Sequence, residues 1–323
     1  MTEGMITPTG AVAGTGLDAD AGGSAAASAK AGAASADRID AGDVAAPEAG
    51  ACALNLALDR WIPVRRRSGR RDAIALWEIT DRDDPPVRLD WGRGDFDACC
   101  HELLIGMIFA AAAPTDLTTW RDFADDPPQP DEIREALDPL AEAFWLARPG
   151  GAPGPLFMQE AGLDPANCKP VPVSDLIADA PGKNSILENK DLFVWRTLIA
   201  QLAPPEAAIA LFAKQQYASP AGSGYFSSLR GGTGFVSVLA RPSGIEQQAL
   251  PLWSLVWANI PYGDPVGPSD VPRAFPWMNT ASGPTRRLGE ADIHDAQRFF
   301  SMPLRIRLLP AAGRARRRSS TGF

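Results

Sequence analysis

Phe96, Cys100, Leu103, Leu104, Met107 and Ile108 recur at the three- and four-residue spacing of one helical face, with Asp95 ahead of them as the expected N-cap. Ile133, Leu137, Leu140 and Phe144 repeat the pattern and predict a second amphipathic helix over residues 131–146. A third helix is expected over residues 205–217, opened by Pro205 and facing inward through Ile209, Phe212 and Gln216. A fourth, over residues 250–260, would face inward through Leu252, Leu255, Val256 and Asn259. Strand-like runs occupy residues 54–64 and 73–77, and the Ser68-Gly69 pair between them predicts a β-hairpin. Two further runs, residues 235–240 and 304–309, also resemble strands, while short helices are expected at residues 173–178 and just before Phe300. Residues 181–193 and 261–290 look like loops. With no regular β-α-β rhythm and no internal repeat, the fold class is mixed α+β.

Composition divides the chain. Residues 1–51 are rich in Ala, Gly, Ser and Asp, and no aromatic residue precedes Trp61. So little bulky apolar surface does not offset the entropy of ordering, which predicts a disordered N-terminal tail. The alternative to such a tail is an upstream start codon, with the protein starting near Leu54. The globular part is expected over residues 52–310, followed by a disordered basic end, residues 311–323, with Arg314, Arg316, Arg317 and Arg318.

The net charge of −8 argues against non-specific coating of nucleic acid and leaves room for a local basic patch. The hairpin arginines Arg65, Arg66, Arg67, Arg70 and Arg71 read first as a solvated hairpin end. Few cysteines and no apolar leader fit a reducing cytoplasm, and no apolar run is long enough to cross a bilayer.

Catalytic chemistry finds little support. Cys52, Cys99, Cys100 and Cys168 form no C-x-x-C pair, so no metal site is expected. The only histidines, His101 and His294, lie in no nucleophile motif, and G-x-S-x-G is absent. The acids Asp81, Asp83 and Asp84, like Asp122, Asp125 and Asp126, stand in proline-bounded stretches where solvated turn carboxylates are the default. The reading is a non-enzyme without cofactor.

The most informative stretch is residues 219–233, where Gly222, Gly224, Gly231 and Gly232 flank Tyr225, Phe226 and Arg230. A dinucleotide fingerprint fails because Ser227 stands where its third glycine belongs, and no phosphate-loop lysine motif occurs. Glycine backbone suits close approach to a narrow surface such as a DNA minor groove, and Arg230 suits a phosphate. A tight structural turn with Arg230 paired inside the domain stands beside that reading.

Several segments, in order, resemble the CasA family, the large subunit of the type I-E CRISPR surveillance complex Cascade. They are Leu54-Asn-Leu with Trp61-Ile-Pro-Val64, Pro155-Leu-Phe-Met-Gln159, Ala208-Ile-Ala-Leu-Phe212, Ser228-Leu-Arg-Gly-Gly-Thr233, Phe275-Pro-Trp277, and Ser301-Met-Pro303 with Arg305-Ile-Arg-Leu308. The resemblance implies a non-catalytic reader of target double-stranded DNA. Gly222, Ser223, Gly224 and Tyr225 would meet the protospacer-adjacent motif from the minor groove. It further implies that residues 183–193, through Lys183, Asn184, Leu187, Asn189 and Lys190, contact CRISPR RNA or neighbouring Cascade subunits. Sequence beyond the short motif would be read by guide pairing, and a helicase-nuclease would then be recruited.

Ala203 and Glu206 stand where relatives often carry a C-x-x-C, so no metal is implied there. The family continues past this chain's end with further motif-reading elements and a helical bundle, so the expected product is C-terminally truncated relative to it. Two alternatives stay open: an interaction module without DNA contact, and a truncated product without function.

Overall fold

The computed structural model describes residues 53–163, 170–177, 183–190, 199, 201–217, 250–279 and 292–309. The expected tail, the strand at 235–240, the glycine stretch and the basic end lie outside the described residues.

Residues 54–64 do not form one strand. β1 (Leu54–Asn55) pairs antiparallel with β5 (Trp145–Ala147), and β2 (Ile62–Arg66) begins only after a tight turn. Asn55 makes that turn. Its buried Oδ1 accepts from Ala57 N–H at 3.0 Å and Leu58 N–H at 3.3 Å, while Nδ2 donates to Ala141 O at 2.8 Å. A short polar side chain that bonds the backbone two residues on competes with the strand ladder, which ends β1 after two residues.

The predicted hairpin is present. β2 pairs with β3 (Arg71–Ile74), with Ile62 opposite Ile74 and Val64 opposite Asp72. Gly69 turns the chain at φ +86°, a conformation open to glycine at little cost, and its N–H donates to Arg66 O at 2.9 Å. β4 (Pro86–Leu89), not expected from the sequence, completes a three-stranded antiparallel sheet in the order β3-β2-β4.

Of the hairpin arginines, Arg67, Arg70 and Arg71 are exposed as expected, while Arg65 is half-buried and Arg66 is buried. Arg66 is 4% exposed; its guanidinium meets Asp72 at 2.8 Å and Asp81 at 2.6 Å, and donates to Asp84 O at 2.7 Å. Arg65 and Arg71 both reach Asp90, at 3.2 and 2.9 Å. Asp81 and Asp84 are therefore structural ligands of this sheet, not free turn acids. Asp84 also binds Ser68 through its backbone N–H at 2.9 Å and its hydroxyl at 2.7 Å.

α1 (Gly94–Ala112) is the central element. The sequence predicted one inward face; the structure buries the helix on all sides, adding Cys99, Ile105 and Phe109 to the expected residues. The N-cap position is Arg93, not Asp95, which sits in the first turn and pairs with Arg93 at 2.7 Å. α2 (Leu117–Asp125) takes in two acids read as turn residues, Asp122 and Asp125; Asp116 caps it by accepting from Thr119 N–H at 2.8 Å.

The expected helix 131–146 is three elements. α3 (Pro130–Leu137) runs into a tighter 3-10 stretch, Asp138–Phe144, and then β5. Pro139 explains the break, since its ring removes a backbone donor and clashes with the preceding turn.

α5 (Pro204–Tyr217) starts one residue earlier than expected, after the 3-10 stretch Val173–Leu176 and the short α4 (Lys183–Leu187). α6 (Leu252–Trp257) buries Trp253 and Trp257 where the spacing pointed to Leu255 and Asn259. These indoles stack at 5.0 Å, and their N–H groups donate to Phe123 O at 3.0 Å and Trp120 O at 2.8 Å, fixing α6 against α2. The stretch expected as loop after Pro261 contains α7 (Val271–Ala274) and a 3-10 turn, Pro276–Met278. Residues 304–309 are not a strand; side chains hold them, as described below.

Five aromatic rings close the core. Phe144 lies 5.2 Å from Phe275 and 5.9 Å from Phe300, and Phe157 lies 5.2 Å from Trp277. Each fully buried ring contributes roughly 1.5–3 kcal/mol of transfer free energy. Trp277 N–H donates to Ala143 O at 2.6 Å, so the one polar atom of the cluster is satisfied. Among the described residues no single helix is long and apolar enough to cross a membrane.

Candidate nucleic-acid interface

Gly222, Ser223, Gly224, Tyr225 and Arg230 lie outside the described residues, so the site is built from the elements on either side. α5 ends at Tyr217, and the described residues resume at Leu250, one residue before Pro251, which precedes α6. Both helices pack on α1.

The start of α5 is capped by Glu206, whose carboxylate accepts from Ala203 N–H at 3.0 Å. Those two positions, where the resemblance placed a lost cysteine pair, thus serve as a helix cap. The end of α5 is held by three consecutive polar side chains. Gln215 is fully buried; its Nε2 donates to Leu304 O at 2.9 Å and Met158 O at 3.3 Å, and its Oε1 accepts from Leu304 N–H at 3.1 Å. Gln216, also fully buried, donates to Ser301 O and accepts from the Ser301 hydroxyl, both at 3.2 Å. Tyr217 donates its hydroxyl to the Glu102 carboxylate on α1.

A third buried amide extends the arrangement. Gln159 Nε2 donates to Leu146 O at 2.9 Å, and its Oε1 accepts from Leu308 N–H at 3.0 Å; beside it, Glu160 N–H donates to Ile306 O at 2.9 Å. Primary amides offer a donor and an acceptor on one plane, so each can stand in for a neighbouring strand. Segment 301–308 is held this way although it belongs to no sheet. Met158, at φ +50°, turns the chain so that Phe157 enters the aromatic cluster while Gln159 meets the segment.

Sequence reasoning flagged Gln216 on the inner face but missed Gln215 and the clamp. The available signal was two adjacent amides at the end of an otherwise apolar helix, polar groups at core positions that require partners.

The other predicted contact region contains α4, in place of a loop. It ends in a left-handed residue, Asn189 at φ +52°, whose N–H donates to Ile186 O at 3.1 Å, followed by Lys190 N–H to Ser185 O at 2.7 Å. This double closure is the usual way asparagine or glycine stops a helix. Leu187 is 70% exposed, and the exposed Lys190 side chain pairs with Glu188. Lys183 and Asn184 open the helix.

His101 and His294 engage backbone. His101 Nδ1 lies 2.9 Å from Asp97 O, and His294 Nδ1 accepts from Ala296 N–H at 3.1 Å. Burial pushes the Asp97 carboxyl above its usual range, against a stabilising bond from Trp91 N–H, and burial also pushes the Cys100 thiol up. Among the described residues no group of three His, Cys, Asp or Glu side chains is arranged to hold a metal.

Three of the resembling motifs, scattered in sequence, converge in space. Phe157 and Gln159, Phe275 and Trp277, and the segment from Ser301 to Leu308 meet around the aromatic cluster and the amide clamp. This mixed helix-and-sheet arrangement defines a class of fold. The Cse1 protein of Acidimicrobium ferrooxidans shares it at 21% identity, with a TM-score of 0.55 over 81% of this chain and 48% of that one. Thermus thermophilus CasA (Cse1) aligns at 26% identity over 51% of this chain and 32% of its own, with a TM-score of 0.39. A subunit of a CRISPR RNA-guided surveillance complex aligns at 18% identity over 67% and 45%, with a TM-score of 0.43.

Residues 55–323 match the family described as CRISPR-associated protein Cse1. The chain belongs to that family. It spans about half the length of the Acidimicrobium protein, and the family match continues through the basic residues after Pro310.

Proposed function

We propose that this chain is a non-catalytic, target-reading subunit of a CRISPR RNA-guided surveillance complex acting in the cytoplasm. Its partners are the other Cascade subunits and the CRISPR RNA. In this reading Gly222, Ser223, Gly224 and Tyr225 approach the minor groove of target double-stranded DNA at the protospacer-adjacent motif, Arg230 meets a neighbouring phosphate, and the bound subunit helps recruit a helicase-nuclease. The observation that carries the reading is membership of the Cse1 family across residues 55–323.

Local physics supports it. Glycine at alternate positions lets backbone donors and acceptors come close to base edges, which a Cβ would hold off. The chain also enters this stretch from a helix end fastened by three buried or half-buried polar contacts. α4, with exposed Leu187, Asn189 and Lys190, is the companion surface for guide RNA or a neighbouring subunit.

The test is Gly222→Trp and Gly224→Trp in the assembled complex, with gel-shift binding to duplexes carrying or lacking the motif. Both variants are expected to lose motif-dependent binding while guide RNA assembly stays intact. Unchanged duplex binding removes the loop from the reading. The 70% exposure of Leu187 favours a second reading, an interaction module without DNA contact. Under it the same variants lower the melting temperature and leave duplex binding alone.

A further inference from the structure

The segment held by the amide clamp presents two cations outward. Ile306 and Leu308 pack against the core, whereas Arg305 is exposed and Arg307 half-buried. Among the described residues neither arginine makes an ion pair or a hydrogen bond. The hairpin is a direct contrast: there Arg65, Arg66, Arg70 and Arg71 each reach a carboxylate. Glu160 binds Ile306 between the two arginines through its backbone N–H, and its carboxylate pairs with neither.

Three features make this more than an ordinary charged surface. The arginines flank backbone fixed on both sides: Leu304 is bracketed by Gln215, Ile306 O is bound by Glu160 N–H, and Leu308 N–H is bound by Gln159. They lie next to the end of α5, because Gln215 and Gln216 bind this segment and the glycine stretch starts two residues after the helix ends. They are also arginines, whose planar forks bind phosphate oxygens in pairs. A fixed backbone lowers the ordering cost of such a contact.

We propose that Arg305 and Arg307 form a phosphodiester contact that grips the backbone of the duplex approached by residues 222–225. The inference rests on the proposed function and adds to it a sequence-independent grip beside the motif reader. Contacts of this kind position a protein on DNA and carry no base information. Each phosphate neutralised adds close to one to the steepness of the fall in log affinity with log salt.

The experiment measures duplex affinity across a salt series for the purified full chain, alone and assembled with guide RNA and the other subunits. Arg305→Gln is expected to lower the magnitude of the salt slope by about 1, and the Arg305→Gln, Arg307→Gln pair by about 2, equally with and without the motif. The Arg305→Lys, Arg307→Lys pair is expected to keep the slope. An unchanged slope for Arg305→Gln, an exposed position whose replacement leaves the fold intact, overturns the proposal. So does a lysine pair that loses as much as the glutamine pair, which marks a structural role. A change confined to guide RNA binding overturns the assignment to the duplex. Gly222→Trp run alongside separates the two ideas: motif binding unaffected by Gly222→Trp, with a lowered slope in the arginine variants, removes the loop reading and leaves the arginine contact.

Discussion

Gln215 brackets Leu304, donating to its carbonyl at 2.9 Å and accepting from its N–H at 3.1 Å, so one side chain does the work of a strand partner. The pair joins the end of α5 to a segment 89 residues further along the chain.

Replacing that amide with an apolar side chain leaves a half-buried donor and acceptor unpaired together. Gln215→Leu is expected to cost about 2–4 kcal/mol, from roughly 1–3 kcal/mol for each unsatisfied group less the gain from apolar burial. Urea denaturation followed by tryptophan fluorescence measures it. A cost under about 0.5 kcal/mol, the low end for a single hydrogen bond, would show that segment 301–308 holds without the clamp.

Gly106, in the middle of α1, is a packing requirement. A Cβ there would lie 2.7 Å from Phe299 Cβ and 3.1 Å from Phe299 Cγ. Those atoms sit near the backbone and yield little, so Gly106→Ala should destabilise by about 1–2 kcal/mol, the overpacking cost outweighing alanine's helix preference of up to about 1 kcal/mol. At Gly94, the first residue of the same helix, an added Cβ would meet nothing within 4 Å, and Gly94→Ala should be neutral or slightly stabilising. Thermal melts of the two variants compare them directly; equal behaviour contradicts the packing account.

The Arg66 cluster makes an acid-side prediction. Burial alone would raise the Asp72 carboxyl, but the hydrogen bond and charge of Arg66, with Arg60 and Arg70 nearby, more than offset it and hold the acid below its usual range. A carboxyl lowered in the folded state gives stability that is complete above its unfolded value of about 3.9 and is lost as pH falls through the folded value. Asp97, raised chiefly by burial, has the opposite sign: its contribution is complete below the unfolded value and lost as pH rises through the folded one. Urea midpoints from about pH 6 to about pH 3 should therefore fall less steeply in Asp72→Asn than in the parent, and Asp97→Asn should gain on the parent as pH rises over that range. Arg66→Met should cost about 2–3 kcal/mol at neutral pH, less than for a fully buried pair because Asp81 is partly exposed. Parallel pH profiles for parent and Asp72→Asn would refute the linkage.

Local signals were readable in the sequence, and long-range ones were not. The Ser68-Gly69 turn, α1 and α5 follow from spacing and turn chemistry within a few residues. β5 was hidden because its partner, Leu54, is far back in the chain, and the apolar period of residues 133–144 ran across the break at Pro139. Arg66 looked solvated because its partners come from two other places in the chain: Asp72 from β3, and Asp81 with the Asp84 carbonyl from the stretch before β4. The segments 155–159 and 301–308, singled out as motifs, meet at the clamp, but periodicity has no term for amides that replace strands, so the clamp emerged only in three dimensions.

α1 is covered on every side, and part of that cover, Phe299 and Phe300, is encoded almost two hundred residues downstream. At about 5–20 residues per second, roughly 10–40 s of synthesis separate the helix from its last neighbours. During that interval the face of α1 around Gly106 stays uncovered, an apolar surface that the nascent chain exposes until Phe299 and Phe300 arrive. The same arrangement that makes the finished core tight makes its birth the hazardous step.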